Sequence, residues 1–534
     1  MQNKNSVFSR LEVKKYVLKK NLKRDLPASL VVFLVALPLC LGIALASGAP
    51  LFAGIVTGVI GGIVVASISG SQLSVSGPAA GLTVIVLGAI GQLGSYQTFL
   101  LAVMLAGAMQ VVLGLIKAGT IGNYFPSSVI EGMLAAIGLI LILKQLPHAL
   151  GVDVDFLDED VLQKGAEGAY VVVGRALGQF NFAAIVISAL SIATLVFWPK
   201  FKKVNVVPAP LIVVIIGIGL SIAFQHTGYA LRVDQMVKIP VVSGWSEFTG
   251  LFNMPDFAAI SRADVWKVAG TIAIVASLET LLSIEAIDKI DPIKRVSPTN
   301  RELVAQGIGN MTSGLLGGLP MTSVIVRSSA NVNAGGRTKM SAIFHGCWLL
   351  ISLLLIPGLI NMIPLACLAA ILLVTGYKLT RISLFKHMYH KGWDQFVPFL
   401  VTVIAVLLTD LLKGVALGMI LSVFYLLRTN MRNPFFYRIQ EEGNQKNLRI
   451  KLAEEVSFLN KAAIQVVFNN IPKETNVIID GINSRYIDPD VLEIIFNFRH
   501  HAYTKGIIVK LENIKEYYKV PKLTNKIIQD INKI

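Results

Sequence analysis

Long runs of apolar residues, joined by short polar connections, occupy most of the chain between Ser29 and Leu427. A helix needs roughly 20 apolar residues to cross the bilayer core, and the chain holds about fourteen successive runs of this kind. Two of these runs are interrupted by glycine and proline. The pattern therefore predicts a mostly α-helical, polytopic membrane protein.

The pattern changes after Arg428, where charged residues become frequent. The stretch NVIIDGINSRYIDPDVLEIIFNFRHHAYTKGIIVKL predicts a strand, a turn, an amphipathic helix and a second strand, with Asp488 as the N-cap and Pro489 at the first helical position. A small soluble α/β domain follows from this order. The predicted division is a basic amphipathic lead-in at the inner membrane surface (1–27), a transmembrane domain (28–430) and the soluble domain (435–534).

Composition agrees with a membrane protein, because 54% of the residues are hydrophobic, only 15% are charged, and the mean hydropathy is +0.66. The net charge of +16 comes largely from basic clusters between the apolar runs. These clusters are Lys14–Arg24, Lys200–Lys203, Lys289–Arg295, Lys378–Lys391 and Arg428–Arg432. Threading the spans from a cytoplasmic N-terminus places every cluster inside and the acidic stretch Asp153–Asp160 outside. We therefore expect a bacterial-type inner membrane protein with a cytoplasmic C-terminal domain, and no role in nucleic-acid binding.

The two interrupted runs share an unusual character. They read LSVSGPAAGLTVIVLG (73–88) and GLPMTSVIVRSSANVNAGGRT (318–338), and each joins a short β-like run to a helical stretch too short to span the bilayer. Glycine and proline are common in membrane helices, so one interrupted run alone does not indicate a binding site. Two such runs, antiparallel and in corresponding halves, are typical of an inverted-repeat transporter with its binding site between them.

A helix that begins near Pro78, halfway across the bilayer, leaves its first N–H groups without helical partners. Its N-terminus carries a partial positive charge of roughly half a unit. An anion bound there would accept hydrogen bonds from the unpaired N–H groups and would be attracted by this charge. Gly77 and Ala79 allow a ligand to approach the backbone, and Ser76 offers a hydroxyl. Irregular backbone at this depth is tolerated where it lines a cavity or is buried in protein.

Charged residues inside predicted spans mark candidate functional positions. Arg327 lies just inside the second interrupted run, at a cost of at least roughly 2.5 to 3.5 kcal/mol, and Glu279 is central in another span. Two interpretations are open: a permanent Arg327–Glu279 salt bridge, or an arginine that attracts an anion while Glu279 takes up a proton with the substrate. Ser283, one helical turn beyond Glu279, faces the same way and could join the site.

Other polar residues in the predicted spans are weaker candidates for a functional role. Gln110 is expected to make an interhelical hydrogen bond, and His345 is expected to be a packing histidine whose polar atoms are satisfied. Cys40, Cys347 and Cys367 lie in apolar segments, where free cysteine behaves as a small hydrophobe. A nucleophile with its base, or a metal cluster, is not found at membrane depth. The sequence therefore predicts no enzyme, no cofactor and no metal, with H⁺ or Na⁺ as the possible co-transported ion.

The runs LPLCLGIALASGAPLFAGIVTGVIGGIV, SVSGPAAGLTV and GLLGGLPMTSVIVRSSANVNAGGRTKMSA resemble the SulP family of inorganic anion transporters over nearly the whole chain. The C-terminal part is similar to the STAS domain of that family. The resemblance implies seven plus seven helices in inverted repeats, a core and a gate domain, a homodimer, and elevator-like alternating access. It also implies that the broken third and tenth helices hold the anion between them.

The resemblance extends to individual residues. Those that match the family's substrate site are Ser76, Gly77, Pro78 and Ala79 in the third helix and Arg327 and Ser328 in the tenth. Glu279 falls where coupled members carry a carboxylate for a proton or sodium ion, with Ser283 in step behind it. Pro38 is followed by Leu39 rather than glutamine, which makes the pocket drier than in many sulfate carriers.

The sequence thus predicts a secondary active transporter of the sulfate or bicarbonate class, coupled to H⁺ or Na⁺. An uncoupled exchanger or channel for chloride or bicarbonate on the same scaffold is the alternative. A nucleobase transporter would share the architecture, but Arg327 argues against a neutral substrate. In the soluble domain, Asp488-Pro489-Asp490 stands where related domains carry a phosphorylatable serine, so a phosphorylation switch is not expected.

Overall fold

The computed structural model describes most of the chain in two compact units. The described residues are 4–120, 125–152, 180–200, 207–227, 229–241, 252–409, 411–432, 435–442 and 445–518. The first unit covers residues 1–419 and the second covers 420–534. The acidic stretch 153–160, part of the 200–203 cluster and the last residues of the soluble domain, 519–534, lie outside the described residues.

The described residues of the first unit are almost entirely helical. Its first seven helices are α1 (Lys4–Ala46), α2 (Leu51–Ile68), α3 (Thr83–Leu93), α4 (Tyr96–Leu115), α5 (Ser127–Leu150), α6 (Phe182–Phe197) and α7 (Ala209–Phe224). Seven of the helices that follow are α8 (Ala263–Ile290), α9 (Thr299–Leu315), α10 (Ile325–Asn333), α11 (Met340–Leu355), α12 (Leu365–Leu379), α13 (Trp393–Leu408) and α14 (Leu411–Arg432), the last of which continues into the second unit.

Hydropathy supports a membrane location for these helices. Within the described part of the chain, seven helices are long and apolar enough to cross a membrane, and four shorter apolar helices accompany them. Two short helices, Pro357–Ile360 and Ile382–His390, connect longer ones. The lead-in expected over 1–27 is continuous with the first span, because α1 runs unbroken through Pro27. The prediction of a mostly helical, polytopic membrane protein is confirmed.

Glycines allow pairs of these helices to approach closely. A Cβ on Gly107 of α4 would lie 2.5 Å from the carbonyl oxygen of Gly307 on α9. A Cβ on Gly138 of α5 would lie 2.7 Å from the carbonyl oxygen of Gly376 on α12. Small residues at such contacts favour helix association in lipid.

Most close contacts between helices fall within two groups, which meet where α1 packs against α12. In one group α4 packs against α8 and α9, and α1 packs against α2, α10 and α11. In the other, α5 packs against α12 and α13, and α6 packs against α7 and α12. This division matches the core and gate domains that the sequence resemblance implies.

The two interrupted runs meet in a short antiparallel ladder. Strand β1 (Ser76–Pro78) pairs with β2 (Met321–Ser323), with Gly77 opposite Thr322 at its centre. A turn of 3₁₀ helix, Ala80–Leu82, leads from β1 into α3, and α10 begins two residues after β2. Both helices therefore start beside the ladder, and the prediction of two interrupted, antiparallel segments is confirmed.

The second unit holds a four-stranded sheet in the order β3 (Phe435–Glu442), β4 (Gln445–Leu452), β6 (Asn476–Asp480) and β8 (Ile508–Glu512). Strands β4, β6 and β8 are parallel, and β3 is antiparallel to β4. Strands β5 (Glu455–Val456) and β7 (Tyr486–Ile487) contain two residues each, and they pair with each other in a separate two-stranded sheet. The helices are α15 (Lys461–Asn469) and α16 (Pro489–Ala502).

Helix α16 begins as the sequence predicts, because Asp488 caps it and its carboxylate accepts a hydrogen bond from the Asp490 N–H at 3.0 Å. The core of this unit lies between the sheet and the helices. Its fully buried side chains include Ile450, Ile464, Val477, Ile479, Val491 and Ile495. The α/β fold expected for the soluble domain is present in the described residues.

Candidate anion site

Side chains and backbone from both interrupted runs lock the ladder together. The Ser74 and Ser323 hydroxyls lie 2.6 Å apart, and the Val324 N–H donates to the carbonyl of Val75 at 3.0 Å. The Val75 N–H in turn donates to the Ser328 hydroxyl at 2.8 Å. These contacts fix where the first turns of α3 and α10 lie relative to each other.

Arg327 lies in the first turn of α10, and its side chain is fully buried. Its Nη2 donates to the carbonyl oxygen of Pro78 at 3.4 Å, whereas Nε and Nη1 have no hydrogen-bond partner among the described residues. The guanidinium lies directly against Gly77, where an added Cβ would overlap Nη1. Glycine at position 77 therefore allows the Arg327 guanidinium to lie beside the ladder.

The charge of Arg327 is not balanced by Glu279. No ion pair joins the two side chains among the described residues, and Glu279 Oε2 is itself buried without a partner. The interpretation of a permanent Arg327–Glu279 salt bridge is therefore wrong for this conformation. Buried polar groups in proteins are nearly always paired, so two unpaired donors on a buried cation indicate a place for an anion or water.

Glu279 occupies the other side of the site, on α8. Its carboxylate lies against Gly81, in the turn that starts α3. A Cβ on Gly81 would lie 2.7 Å from Oε2 and 2.8 Å from Oε1. The half-buried carboxylate thus occupies part of the positive N-terminal end of α3, where a negative charge is stabilised.

The Ser76 hydroxyl faces away from the arginine. It accepts a hydrogen bond from Gln306 Nε2 of α9 at 2.6 Å, and Ser76 is buried. Successive residues of a strand point to opposite faces, so Ser76 faces α9 while Gly77 faces Arg327. Its hydroxyl is engaged with the scaffold in this conformation.

The Ser328 hydroxyl is also engaged, because it donates to the carbonyl of Val324 at 2.8 Å and accepts from Val75. Ala79 is buried between Pro78 and the 3₁₀ turn. Ser283 is buried one helical turn from Glu279. The structure thus brings all the predicted site residues to the two helix starts or to α8 beside them.

Some residues of this region were not identified from the sequence. Glu302, fully buried on α9, accepts hydrogen bonds from the Ser69 hydroxyl at 2.6 Å and from Gln306 Nε2 at 3.5 Å. Gln306 thus links Glu302 to Ser76. The polar run Thr299–Glu302 at the start of α9 resembles the solvated end of a loop. The sequence therefore gave no signal that Glu302 is buried.

A second polar chain supports β2. Asn310 donates to Gln110 Oε1 at 2.6 Å, and Gln110 Nε2 donates to the Ser277 hydroxyl at 3.2 Å. The interhelical hydrogen bond predicted for Gln110 is therefore confirmed. Asn310 also pairs with the backbone of Met321, since its Oδ1 accepts from that N–H at 2.7 Å.

The expectation for His345 is confirmed for its burial and wrong for its hydrogen bonding. The residue is fully buried on α11, as expected, but neither ring nitrogen has a hydrogen-bond partner among the described residues. Within the same residues, no group of three or more His, Cys, Asp or Glu side chains is arranged to hold a metal ion.

Comparison with known proteins places these features in a family. The model of the sulfate permease family matches residues 22–405. YvdB of Bacillus subtilis, which carries the provisional name of a sulfate transporter, is 30% identical over 83% of this chain and 79% of its own length. The bicarbonate transporter BicA of Synechocystis is 26% identical over 67% of this chain, and the match spans 61% of BicA.

Structural similarity extends over the full chain. The murine Solute Carrier 26 family member A9 anion transporter, solved in the inward-facing state, superposes with a TM-score of 0.72. The match covers 100% of this chain and 91% of the murine one at 16% sequence identity. At that identity the likeness shows a shared fold.

Proposed function

The chain belongs to the sulfate permease family, and we propose that it is a secondary active transporter of a small inorganic anion of the sulfate or bicarbonate class. The observation that carries the proposal is the buried guanidinium of Arg327, with Nε and Nη1 unpaired beside the start of α10. A helix N-terminus is already an anion site, and here two such ends meet with an added full positive charge.

In the proposed site the anion lies between the starts of α3 and α10. Ser76, Gly77, Pro78 and Ala79 contribute on the first side, and Arg327 and Ser328 contribute on the second. Because the Ser76 and Ser328 hydroxyls hold the ladder, these two residues shape the backbone that receives the anion. The bilayer and a second copy of the chain are the further proposed partners, with the soluble domain in the cytoplasm.

Coupling follows from the position of Glu279. An ionised carboxylate beside Gly81 competes with the anion for the positive end of α3. A proton on Glu279 removes that competition and offsets the charge of the incoming anion, so the two would be carried together. With Na⁺ instead, Glu279 and Ser283 would supply oxygen ligands. The α1–α4 and α8–α11 helices, which carry the ladder, would then move against the remaining helices by an elevator-type mechanism.

The anion site is tested by replacing its arginine. Purified protein in proteoliposomes is assayed for uptake of labelled sulfate and labelled bicarbonate. Arg327→Ala should lower uptake of the transported anion by more than about tenfold, since hydrogen bonds to a charged group contribute roughly 1.5 to 3 kcal/mol. Arg301→Ala is the matched control, because Arg301 is exposed and donates to the Ile68 carbonyl at 2.7 Å. Wild-type uptake by an inserted Arg327→Ala protein would reject the site.

Coupling is tested separately with imposed gradients. Wild-type uptake should rise with an inward H⁺ or Na⁺ gradient, and Glu279→Gln should remove that dependence. Uptake by the wild type that ignores both ions would instead support the uncoupled exchanger or channel, in which Glu279 is a fixed charge held by Gly81.

A further inference from the structure

Two consecutive residues of α8 contact the two sides of the ladder. Glu279 lies against Gly81, in the turn between β1 and α3, where an added Cβ would lie 2.7 Å from its Oε2. The next residue, Thr280, is fully buried, and its hydroxyl accepts a hydrogen bond from the Ser323 N–H at 3.3 Å. Ser323 is the last residue of β2, and α10 begins two residues later. One part of α8 therefore touches the segments that lead into both α3 and α10.

A second connection joins α8 to the other end of β2. The Ser277 hydroxyl accepts a hydrogen bond from Gln110 Nε2 at 3.2 Å, and Gln110 Oε1 accepts one from Asn310 at 2.6 Å. Asn310 also holds the backbone of Met321, the first residue of β2, because its Oδ1 accepts from the N–H at 2.7 Å and its Nδ2 donates to the carbonyl at 3.2 Å. Both ends of β2 are thus hydrogen-bonded to α8, directly at Thr280 and through two side chains at Ser277.

Few ionisable groups lie on the described elements that pack against this part of α8. Helix α3 and strand β2 carry none, α4 carries the phenol of Tyr96, α10 carries Arg327, and the start of α9 carries Arg301 and Glu302. Arg301 is exposed, and Glu302 is hydrogen-bonded within α9 and to Ser69. The other charged residues of α8 itself lie six or more positions along the chain from Glu279. Among these groups, Glu279 is the carboxyl beside the start of α3.

The charge on Glu279 decides how strongly α8 is drawn to the start of α3. An ionised carboxylate is attracted by the positive end of that helix, whereas a carboxyl neutralised by H⁺ or Na⁺ is not. A displacement of Glu279 also moves Thr280, because the backbone hydrogen bonds of a helix hold adjacent residues together. Through the bond between Thr280 and Ser323, the displacement reaches the end of β2 and the start of α10, which carries Arg327.

We propose that Thr280 is a positioning residue that transmits cation binding at Glu279 to the arginine side of the anion site. The hydrogen bond from the Ser323 N–H fixes the end of β2 to α8, so the position of Arg327 follows the state of Glu279. Without this bond, the cation and the anion change each other's affinity less, and the coupling between the two sites is weakened. The inference rests on the proposed function, because it concerns the link between the two proposed sites.

The test measures this coupling in proteoliposomes as a ratio of two KM values for sulfate or bicarbonate, whichever the wild type takes up. One KM is measured at a low and the other at a high concentration of the coupling ion, H⁺ or Na⁺. The wild-type KM should be at least about fivefold lower at the high concentration. Thr280→Val keeps the shape of the side chain but removes the hydroxyl, and it should reduce this ratio by at least about threefold, with kcat within about threefold of wild type.

Thr280→Ser retains the hydroxyl and should restore the KM ratio to within about twofold of wild type. Thr271→Val is the matched control, because Thr271 lies on the same helix and its hydroxyl donates within that helix, to the Lys267 carbonyl at 3.0 Å. It should leave the ratio unchanged. A purely structural role of Thr280 would change KM equally at both ion concentrations and leave the ratio at its wild-type value.

A wild-type ratio in Thr280→Val would therefore overturn the inference, and so would an equal loss in the Val and Ser variants. If the Val variant does not insert into the membrane, Thr280→Cys decides by the same criterion, because a thiol is a weaker acceptor than a hydroxyl. A wild-type ratio in the Cys variant would then overturn the inference.

Separate variants distinguish this inference from the proposed function. If Arg327→Ala takes up the anion like wild type, the proposed anion site fails. If the wild-type KM ignores both ions, coupling through Glu279 fails, and the transmitting role of Thr280 fails with it. If Glu279→Gln removes the ion dependence but Thr280→Val retains it, only the role of Thr280 fails.

Discussion

Arg327 and Pro78 are 249 residues apart in the sequence, yet Nη2 of the arginine donates to the proline carbonyl at 3.4 Å. The Pro78 carbonyl is therefore the group of β1 that meets the charge. The bond joins the two interrupted segments across the ladder. It leaves Nε and Nη1 of Arg327 unpaired among the described residues.

Gly77→Ala should disable anion transport without preventing insertion. The new methyl group would overlap Nη1 of Arg327, so the guanidinium must leave its position beside the ladder. Overpacking of this kind costs roughly 1 to 3 kcal/mol, and we expect KM for the transported anion to rise by about tenfold or more. Gly88→Ala is the control, because a Cβ there meets nothing within 4 Å. Equal effects of the two substitutions would contradict the role of Gly77.

Gly81→Ala should alter coupling more than affinity. Its methyl group would lie 2.7 Å from Oε2 of Glu279 and push the carboxylate away from the start of α3. The stimulation of uptake by an inward H⁺ or Na⁺ gradient should fall at least about threefold, measured against uptake without a gradient. Gly270→Ala on the same helix as Glu279 has open space around its Cβ and should behave like wild type. An unchanged gradient response in Gly81→Ala would argue that Glu279 does not act at this helix end.

The sequence predicted the elements with strong local signals. Apolar runs of bilayer length located the helices, and the Gly-Pro interruptions at 77–78 and 318–320 located the breaks. Asp488 and Pro489 marked the start of α16 for the same reason, since capping depends on neighbouring residues. Such features depend on a few consecutive side chains, so they can be recognised in a single sequence.

Contacts between distant segments were not predictable in the same way. The sequence placed Glu279 opposite Arg327 as a plausible partner, but helix rotation and the glycine at position 81 bring its carboxylate to α3 instead. Likewise, nothing local indicates that Gln306 binds the Ser76 hydroxyl. These pairings are set by how the helices pack, and helical periodicity alone does not fix the angle at which each helix presents its polar side chains.

Gln306→Leu should destabilise the protein as a whole. Gln306 is fully buried and donates to Ser76 at 2.6 Å and toward Glu302 at 3.5 Å, so its loss leaves two polar groups without that donor. The expected cost is about 1 to 3 kcal/mol per unsatisfied group, visible as a lower Tm of the detergent-solubilised protein. Thr312→Val on the same helix should change Tm little, because Thr312 donates only to the Ile308 carbonyl of its own helix. A Tm equal to wild type in Gln306→Leu would show that the chain from Glu302 to Ser76 does not stabilise the ladder.

Acidification should weaken the sheet of the second unit through Asp480. Burial of this carboxyl favours its neutral form, but hydrogen bonds from Arg449, Asn513 and the Ile482 N–H outweigh burial and hold its pKa below the usual 3.8. A carboxyl with a lowered pKa stabilises the folded state fully above its usual pKa, and that contribution is lost as the pH falls through the lower pKa of the folded protein.

Hydrogen exchange of the full-length protein measures this effect in strand β6. After correction for intrinsic rates, wild-type protection should fall as the pH is lowered from 6 to 3. Asp480→Asn should exchange faster by on the order of tenfold at pH 6, and the gap from wild type should narrow at pH 3, where the wild-type carboxyl also begins to lose its charge. Glu454→Gln is the control, since its ion pair with Arg485 is largely exposed and contributes little. A gap between Asp480→Asn and wild type that stays constant from pH 6 to 3 would assign the stabilisation to packing rather than to the charged carboxylate.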